Sequence, residues 1–286
     1  MRSFNFHSPE TISEVLELLA QYGDEAKLMG GGTALTTMMK QSLVQPAHVV
    51  SLHKIGDYRE IKVENDLLRF GAFVTHRQVE RSELVKEHAP LLASTYKQVA
   101  TVRIRNSATV GGGLAHADPS QDPQPSLLVL DAQVRVKSSL GERLIPLEKF
   151  CSDYYETDLQ PNELITEVIV PINPKFSKGV YLKYLPRTQD DYATVSVAAL
   201  GTVKSGFIEN VRVALGSVGA VPIRAQMVEK MLVGQTVSSD LLEKASNQVR
   251  SIVDPLDDAR GSAEYKIDMA VVFTKRALGT VLDVRS

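Results

Sequence analysis

Two glycine triplets have the clearest chemical use in this chain. One lies in Lys27-Leu28-Met29-Gly30-Gly31-Gly32-Thr33-Ala34-Leu35, the other in Thr109-Val110-Gly111-Gly112-Gly113-Leu114-Ala115. Glycine lets a backbone approach a ligand closely and take positive φ. Successive N–H groups in such turns form concavities for anions. Two of these turns facing each other could hold a pyrophosphate from both sides, with Thr33 and Thr109 adding hydroxyl donors. Taken singly, each triplet also reads as a tight turn. The commoner motifs are absent: no G-x-G-x-x-G, no G-x-x-x-x-G-K-[ST] and no G-x-S-x-G.

Other groups carry weaker signals. His116, Asp118 and Asp122 lie close together, yet without the ligand spacing of a metal site. Arg103 and Arg105 could pair with phosphate, or equally with carboxylates or solvent. Cys151 has no histidine nearby in sequence and reads as a buried structural thiol. Asp257, Asp258 and Arg260 read as a turn and cap before a last helix.

The elements that must position the triplets follow from pattern. Ser8-Pro9-Glu10 predicts a helix start, Ile12, Val15, Leu16 and Leu19 keep helical spacing, and Gly23 stops the helix. A strand over 26–29, the glycine loop, a helix and a strand at 49–52 complete a small α/β unit. Strands at 61–63 and 67–71 flank the turn-forming Asn65-Asp66. A helical stretch is centred on 84–99, and strands follow at 133–137 and 166–170. A polar segment, Pro174-Lys175-Phe176-Ser177-Lys178-Gly179, predicts a boundary. Beyond it the pattern predicts strands at 179–184, 194–203 and 211–218, then helices near 224–232, 239–252 and 263–282.

Composition narrows the class. The net charge of −2 gives no electrostatic support to nucleic-acid binding. The single cysteine excludes an internal disulfide and an iron–sulfur cluster held by this chain alone, which needs about four thiolates. No apolar run approaches the ~20 residues of a membrane span, and the first residues lack a signal-peptide pattern. A cytoplasmic protein without a membrane span is expected.

The motifs together resemble the FAD-binding subunits of the xanthine dehydrogenase and carbon monoxide dehydrogenase family, the molybdenum hydroxylases. The resemblance rests on Leu28–Leu35, Arg103–Gly113, Asp118-Pro119-Ser120-Gln121-Asp122, Tyr181-Leu182-Lys183 with Arg187 and Asp191-Tyr192-Ala193, and Asp258–Lys266. It implies an α+β chain. A two-part FAD-binding domain of the vanillyl-alcohol-oxidase type covers 1–175, as a small α/β part (1–56) and a mainly antiparallel part (57–175). A C-terminal domain with a three-stranded sheet and helices covers 176–286.

The resemblance also implies non-covalent FAD, its diphosphate gripped by the two glycine loops. The cofactor-binding residues it implies are Leu28, Met29, Gly30, Gly31, Gly32, Thr33, Ala34, Leu35, Thr109, Val110, Gly111, Gly112, Gly113, Asp122, Ile165, Lys183 and Tyr192. Tyr192 and Ile165 would shape access to the flavin ring. Asp191, and less clearly Asp190, could tune it electrostatically. The family usually has asparagine where this chain has Gly113, a departure that removes a side-chain hydrogen bond, and Ala34 stands where serine or aspartate is common. No catalytic acid, base or nucleophile and no metal ligand is expected here. Molybdopterin and [2Fe–2S] clusters would belong to a large and a small partner subunit, in a dimer of heterotrimers. The alternatives are a self-contained FAD oxidoreductase of the same fold class and a scaffold subunit without flavin.

Overall fold

A computed structural model describes residues 2–172, 175–185, 187–188 and 190–284. The first unit holds β1 (Asn5–His7), α1 (Ile12–Tyr22), β2 (Ala26–Met29), α2 (Thr33–Lys40) and β3 (His48–Ser51). Its three strands are parallel in the order β1-β3-β2. Helix α1 starts one turn later than the sequence predicts. Its cap is Thr11, whose hydroxyl accepts from Glu14 N, while the Glu14 carboxylate accepts from Glu10 N at 2.7 Å and Thr11 N at 3.4 Å. This reciprocal box satisfies more orphan donors than Ser8 and Pro9 could. The three-residue β1 carries no periodic signal and was not predicted.

The second unit holds β4 (Ile61–Glu64), β5 (Leu67–Gly71), α3 (His76–Arg81), α4 (Glu83–His88), α5 (Pro90–Lys97), α6 (Val102–Ser107), α7 (Val110–His116), α8 (Pro123–Val129), β6 (Gln133–Ser138), β7 (Gly141–Pro146), β8 (Cys151–Asp153), β9 (Glu156–Thr157) and β10 (Leu164–Pro171). Five strands form an antiparallel sheet, β4-β5-β10-β6-β7, and β8 pairs with β9. Asn65 and Asp66 both take positive φ, as a two-residue hairpin demands.

The third unit holds β11 (Lys178–Tyr184), β12 (Val195–Lys204), β13 (Phe207–Gly216), β14 (Ile223–Arg224), α9 (Gln226–Leu232), α10 (Ser239–Asn247) and α11 (Ala263–Val281). The three predicted strands gain a short fourth, so the antiparallel sheet runs β11-β12-β13-β14. Arg224, read from sequence as the start of a helix, pairs instead with Ala214, and Ile223 pairs with Leu215. Helix α11 lies so close over β12 that a Cβ on Gly201 would sit 3.0 Å from Val281 O. Of the predicted boundary stretch, Pro174 lies outside the described residues.

Two cores result. One gathers Val15, Val50, Phe70, Leu92, Val134 and Val168 beneath the first two units. The other gathers Val197, Leu215, Leu232, Ala270 and Leu278 beneath the C-terminal sheet. The wholly buried α8 links them. Its final carbonyls would be stranded in the interior. Arg212 Nη1 donates to Val129 O at 2.8 Å, and Arg224 Nη1 to Leu128 O at 3.4 Å. Both arginines also pair with Asp131.

Candidate functional site

The first glycine loop runs from the end of β2 into α2. Gly32, at the α2 N-cap, has φ +69°, which a residue with a Cβ takes only under strain. No side chain caps the helix. Among the described residues, nothing accepts a hydrogen bond from the N–H groups of Gly30, Gly31, Gly32, Thr33, Ala34 or Leu35. An uninterrupted run of free amide donors at the positive end of a helix dipole is a built anion cradle.

The second loop is different. Thr109 caps α7, and its hydroxyl accepts from Gly112 N at 3.2 Å. Val110 N donates to Val74 O, Gly111 N to Ala72 O and Gly113 N to Thr109 O. Every amide from Val110 to Gly113 is therefore used internally. The two loops do face each other, but only the first offers free backbone donors. The glycines make that approach possible. A Cβ on Gly30 would lie 2.8 Å from Thr109 Oγ1, and one on Gly31 only 1.9 Å from Ser107 O. The second triplet is a side-chain-free wall against which the first is set.

Asp122 and Lys183 meet each other. Lys183 Nζ donates to Asp122 Oδ2 at 2.9 Å and to Gln98 O at 3.2 Å, and Tyr181 OH donates to Asp122 Oδ1 at 2.6 Å. Both charged side chains are almost fully enclosed, at 2% and 5% exposure. Burial pushes the Asp122 carboxyl up, while Lys183 and Tyr181 pull it back. The cluster joins the start of α8 to β11. Strand alternation puts Tyr181 and Lys183 on one face, so the sequence carries a signal for Tyr181 beside Lys183.

Tyr192 stands half-exposed at a cavity of about 370 Å³ shared with Asp118, Tyr155, Arg187 and Arg260. Tyr155 OH donates to Asp118 Oδ2 at 3.3 Å. Partial burial, then the nearby Asp118, pushes the Tyr192 hydroxyl up to about 12. Ile165 is instead enclosed in the first core, opposite Val136 on β6. It lies beside Thr166, whose carbonyl accepts from Ala72 N, the residue whose own carbonyl anchors Gly111.

The turn before α11 is structural and also reaches the cavity. Arg260 grips Asp258, and its Nη1 donates to Ser120 Oγ at 2.9 Å and Ala193 O at 3.0 Å. Burial raises the Asp258 carboxyl, but Arg260 and Lys266 outweigh it and hold the group well below the carboxylate range. Arg105 is buried against Glu80 and donates to Val99 O and Ala100 O, so it is carboxylate-paired. Arg103 is exposed. Cys151 is half-buried against Gln124, and burial pushes its thiol up to about 11. Among the described residues no group of three or more His, Cys, Asp or Glu could hold a metal ion, and no helix is long and apolar enough to cross a membrane.

A parallel α/β part with a glycine-rich run of free amides, an antiparallel part and a C-terminal sheet domain make up the fold shared with FAD-binding oxidoreductase components. Residues 2–173 match the FAD-binding domain of molybdopterin dehydrogenases, and residues 180–281 the C-terminal domain of carbon monoxide dehydrogenase flavoproteins. The chain belongs to the family of FAD-binding medium subunits of molybdenum hydroxylases. It is 31% identical to the carbon monoxide dehydrogenase medium chain of Hydrogenophaga pseudoflava, covering 96% of each chain. It is 29% identical to the caffeine dehydrogenase subunit beta of a Pseudomonas species, covering 98% of this chain and 95% of that one. A solved carbon monoxide dehydrogenase from Hydrogenophaga pseudoflava, lacking the Mo-pyranopterin moiety of its cofactor, superposes with a TM-score of 0.95 at 32% identity, over 99% of this chain and 98% of that one.

Proposed function

We propose that this chain is the electron-transfer flavoprotein of a heterotrimeric molybdenum hydroxylase. It takes electrons from [2Fe–2S] clusters of a small partner and passes them to an external acceptor. Molybdopterin and substrate are held by a large partner, and the assembly is a cytoplasmic dimer of heterotrimers. The observation that carries the reading is the run of free amides from Gly30 to Leu35, set against the wall of Thr109–Gly113. When bound, FAD supplies the redox chemistry, and the protein supplies position and electrostatics.

The chain's own residues then have distinct tasks. The amides of Gly30–Leu35 hold the diphosphate, and Leu28 and Met29 bring the loop to its place from β2. Thr109, Val110, Gly111, Gly112 and Gly113 form the opposing wall. Asp122 and Lys183, locked together, fix the 118–122 segment and β11 beside the cofactor. Tyr192 borders the ring on the acceptor side, and Ile165 backs the site from the core. In this reading the FAD-binding domain ends near residue 175 and the C-terminal domain begins there.

The test is an absorption spectrum of the chain purified from its native host, with subunits resolved on a gel. Flavin bands together with a large and a small partner are the expected result. A colourless chain without partners overturns the reading.

A further inference from the structure

Gly113 leaves a place in the site that another residue fills. A Cβ built on Gly113 would lie 3.2 Å from Gln121 Oε1 and 3.4 Å from His76 Nε2. Gln121 Nε2 donates to Gly113 O at 2.8 Å, which pins its carboxamide over the glycine. The backbone holds it there as well, since Gln121 N donates to Asp118 O at 3.1 Å. Its Oε1 accepts nothing from the described residues, and Nε2 makes only the one bond. The side chain is half-buried, so these free groups are not sealed in the core. His76 cannot serve in its stead, because it is buried with its Nε2 committed to Thr109 O.

We propose that the Gln121 carboxamide positions the bound dinucleotide, delivered across Gly113 into the place that a side chain on residue 113 would occupy. The proposal rests on the FAD reading above. A carboxamide with one free acceptor and one free N–H matches a group that both donates and accepts. In FAD that description fits the hydroxyls of the ribityl chain, which adjoin the diphosphate. The amides of Gly30–Leu35 can only donate, which suits phosphate oxygens. The two sets of groups thus divide the cofactor between them by hydrogen-bond chemistry.

The experiment is a titration of the full, flavin-freed chain with FAD, read by quenching of flavin fluorescence, alongside thermal melting of each variant without cofactor. Gln121→Ala is expected to weaken FAD about tenfold, the worth of roughly one well-made hydrogen bond. Gly113→Asn alone is expected to weaken it too, because the new side chain meets Gln121 Oε1. The double variant Gly113→Asn/Gln121→Ala is expected to recover affinity close to that of the unaltered chain, since the asparagine then has the space to itself. If Gln121→Ala lowers the melting temperature, Gln121→Met, which fills the same space without polar atoms, is read in its place. Single variants that bind FAD like the unaltered chain, or a double variant no better than Gln121→Ala, overturn the proposal alone. An unaltered chain that does not bind FAD overturns the function proposed above.

Discussion

Gly31→Ala tests the tightest glycine contact among the described residues. The added Cβ would lie 1.9 Å from Ser107 O, 2.5 Å from Ser107 C and 2.8 Å from Ala108 Cα. All three are backbone atoms, so no side chain can swing away. Restoring an ordinary contact of 3.4 Å requires the loops to part by about 1.5 Å at that point. Overpacking of this kind costs ~1–3 kcal/mol, and backbone neighbours place it at the upper end. For a chain somewhat longer than those that lose ~2–4 °C per kcal/mol, the melting temperature should fall by about 5–8 °C. FAD affinity should fall by more, at least ~30-fold, because the free amides move away from the opposing wall. Gly56→Ala is the control: nothing lies within 4 Å of its Cβ, and its φ is an ordinary one. That substitution should be neutral or stabilise by ~0.4–1 kcal/mol. Differential scanning fluorimetry and FAD titration read both variants. A Gly31→Ala chain that melts and binds like its parent would refute the argument that the two loops touch through bare backbone.

Three further outcomes follow from the site. Lys183→Met strands the enclosed Asp122 carboxylate and should cost ~3–5 kcal/mol in urea unfolding, whereas the Asp122→Asn/Lys183→Met pair should cost less than Lys183→Met alone; additive losses would show that the two charges do not interact. Burial lowers His76 from 6.5 to about 4, so the fold keeps it neutral while the unfolded chain takes up a proton below pH 6.5. Its contribution is complete above that pH and is lost as pH falls towards 4, amounting to roughly 2 kcal/mol between pH 8 and pH 5; His76→Phe should flatten the pH dependence of stability by that amount, and an unchanged slope would count against it. Tyr192→Ala should alter the rate with external electron acceptors and leave FAD content intact, and equal acceptor rates would remove Tyr192 from the ring's acceptor side.

Much of this was legible in the sequence because local signals and global structure agree. The first glycine triplet follows a strand and opens a helix, and Asn65-Asp66 marks its hairpin. The long C-terminal strands announce themselves by their apolar runs. What was hidden depends on non-local partners. The strand pairing of Ile223 and Arg224 needs β13 beside it, and three residues at Asn5–His7 become a strand only because β3 offers an edge. The difference between the two triplets was equally invisible. Which amides are free depends on Ala72 and Val74, nearly forty residues before Gly111, and no spacing rule reports them. The same holds for Asp122 and Lys183, whose enclosure needs α8 and β11 to meet.

The ionisable groups around this site share a property that bears on mechanism. Asp122 is locked by Lys183 and Tyr181, and Asp258 by Arg260 and Lys266. His76 is held neutral, and the Cys151 thiol and the Tyr192 hydroxyl are pushed above their ordinary values. A general acid or base works best with a pKa near the operating pH, and Asp258, His76, Cys151 and Tyr192 are all shifted away from neutrality. Each lock instead joins segments distant in sequence. Lys183 ties β11 to the start of α8, Arg260 ties the turn before α11 to Ser120 and Ala193, and Arg212 with Arg224 ties the C-terminal sheet to the end of α8. The charges fix the C-terminal sheet and the turn before α11 against α8 and the 118–122 segment that precedes it. On the electron-transfer reading proposed above, such locks would serve the rate through where the cofactor lies and what field surrounds it.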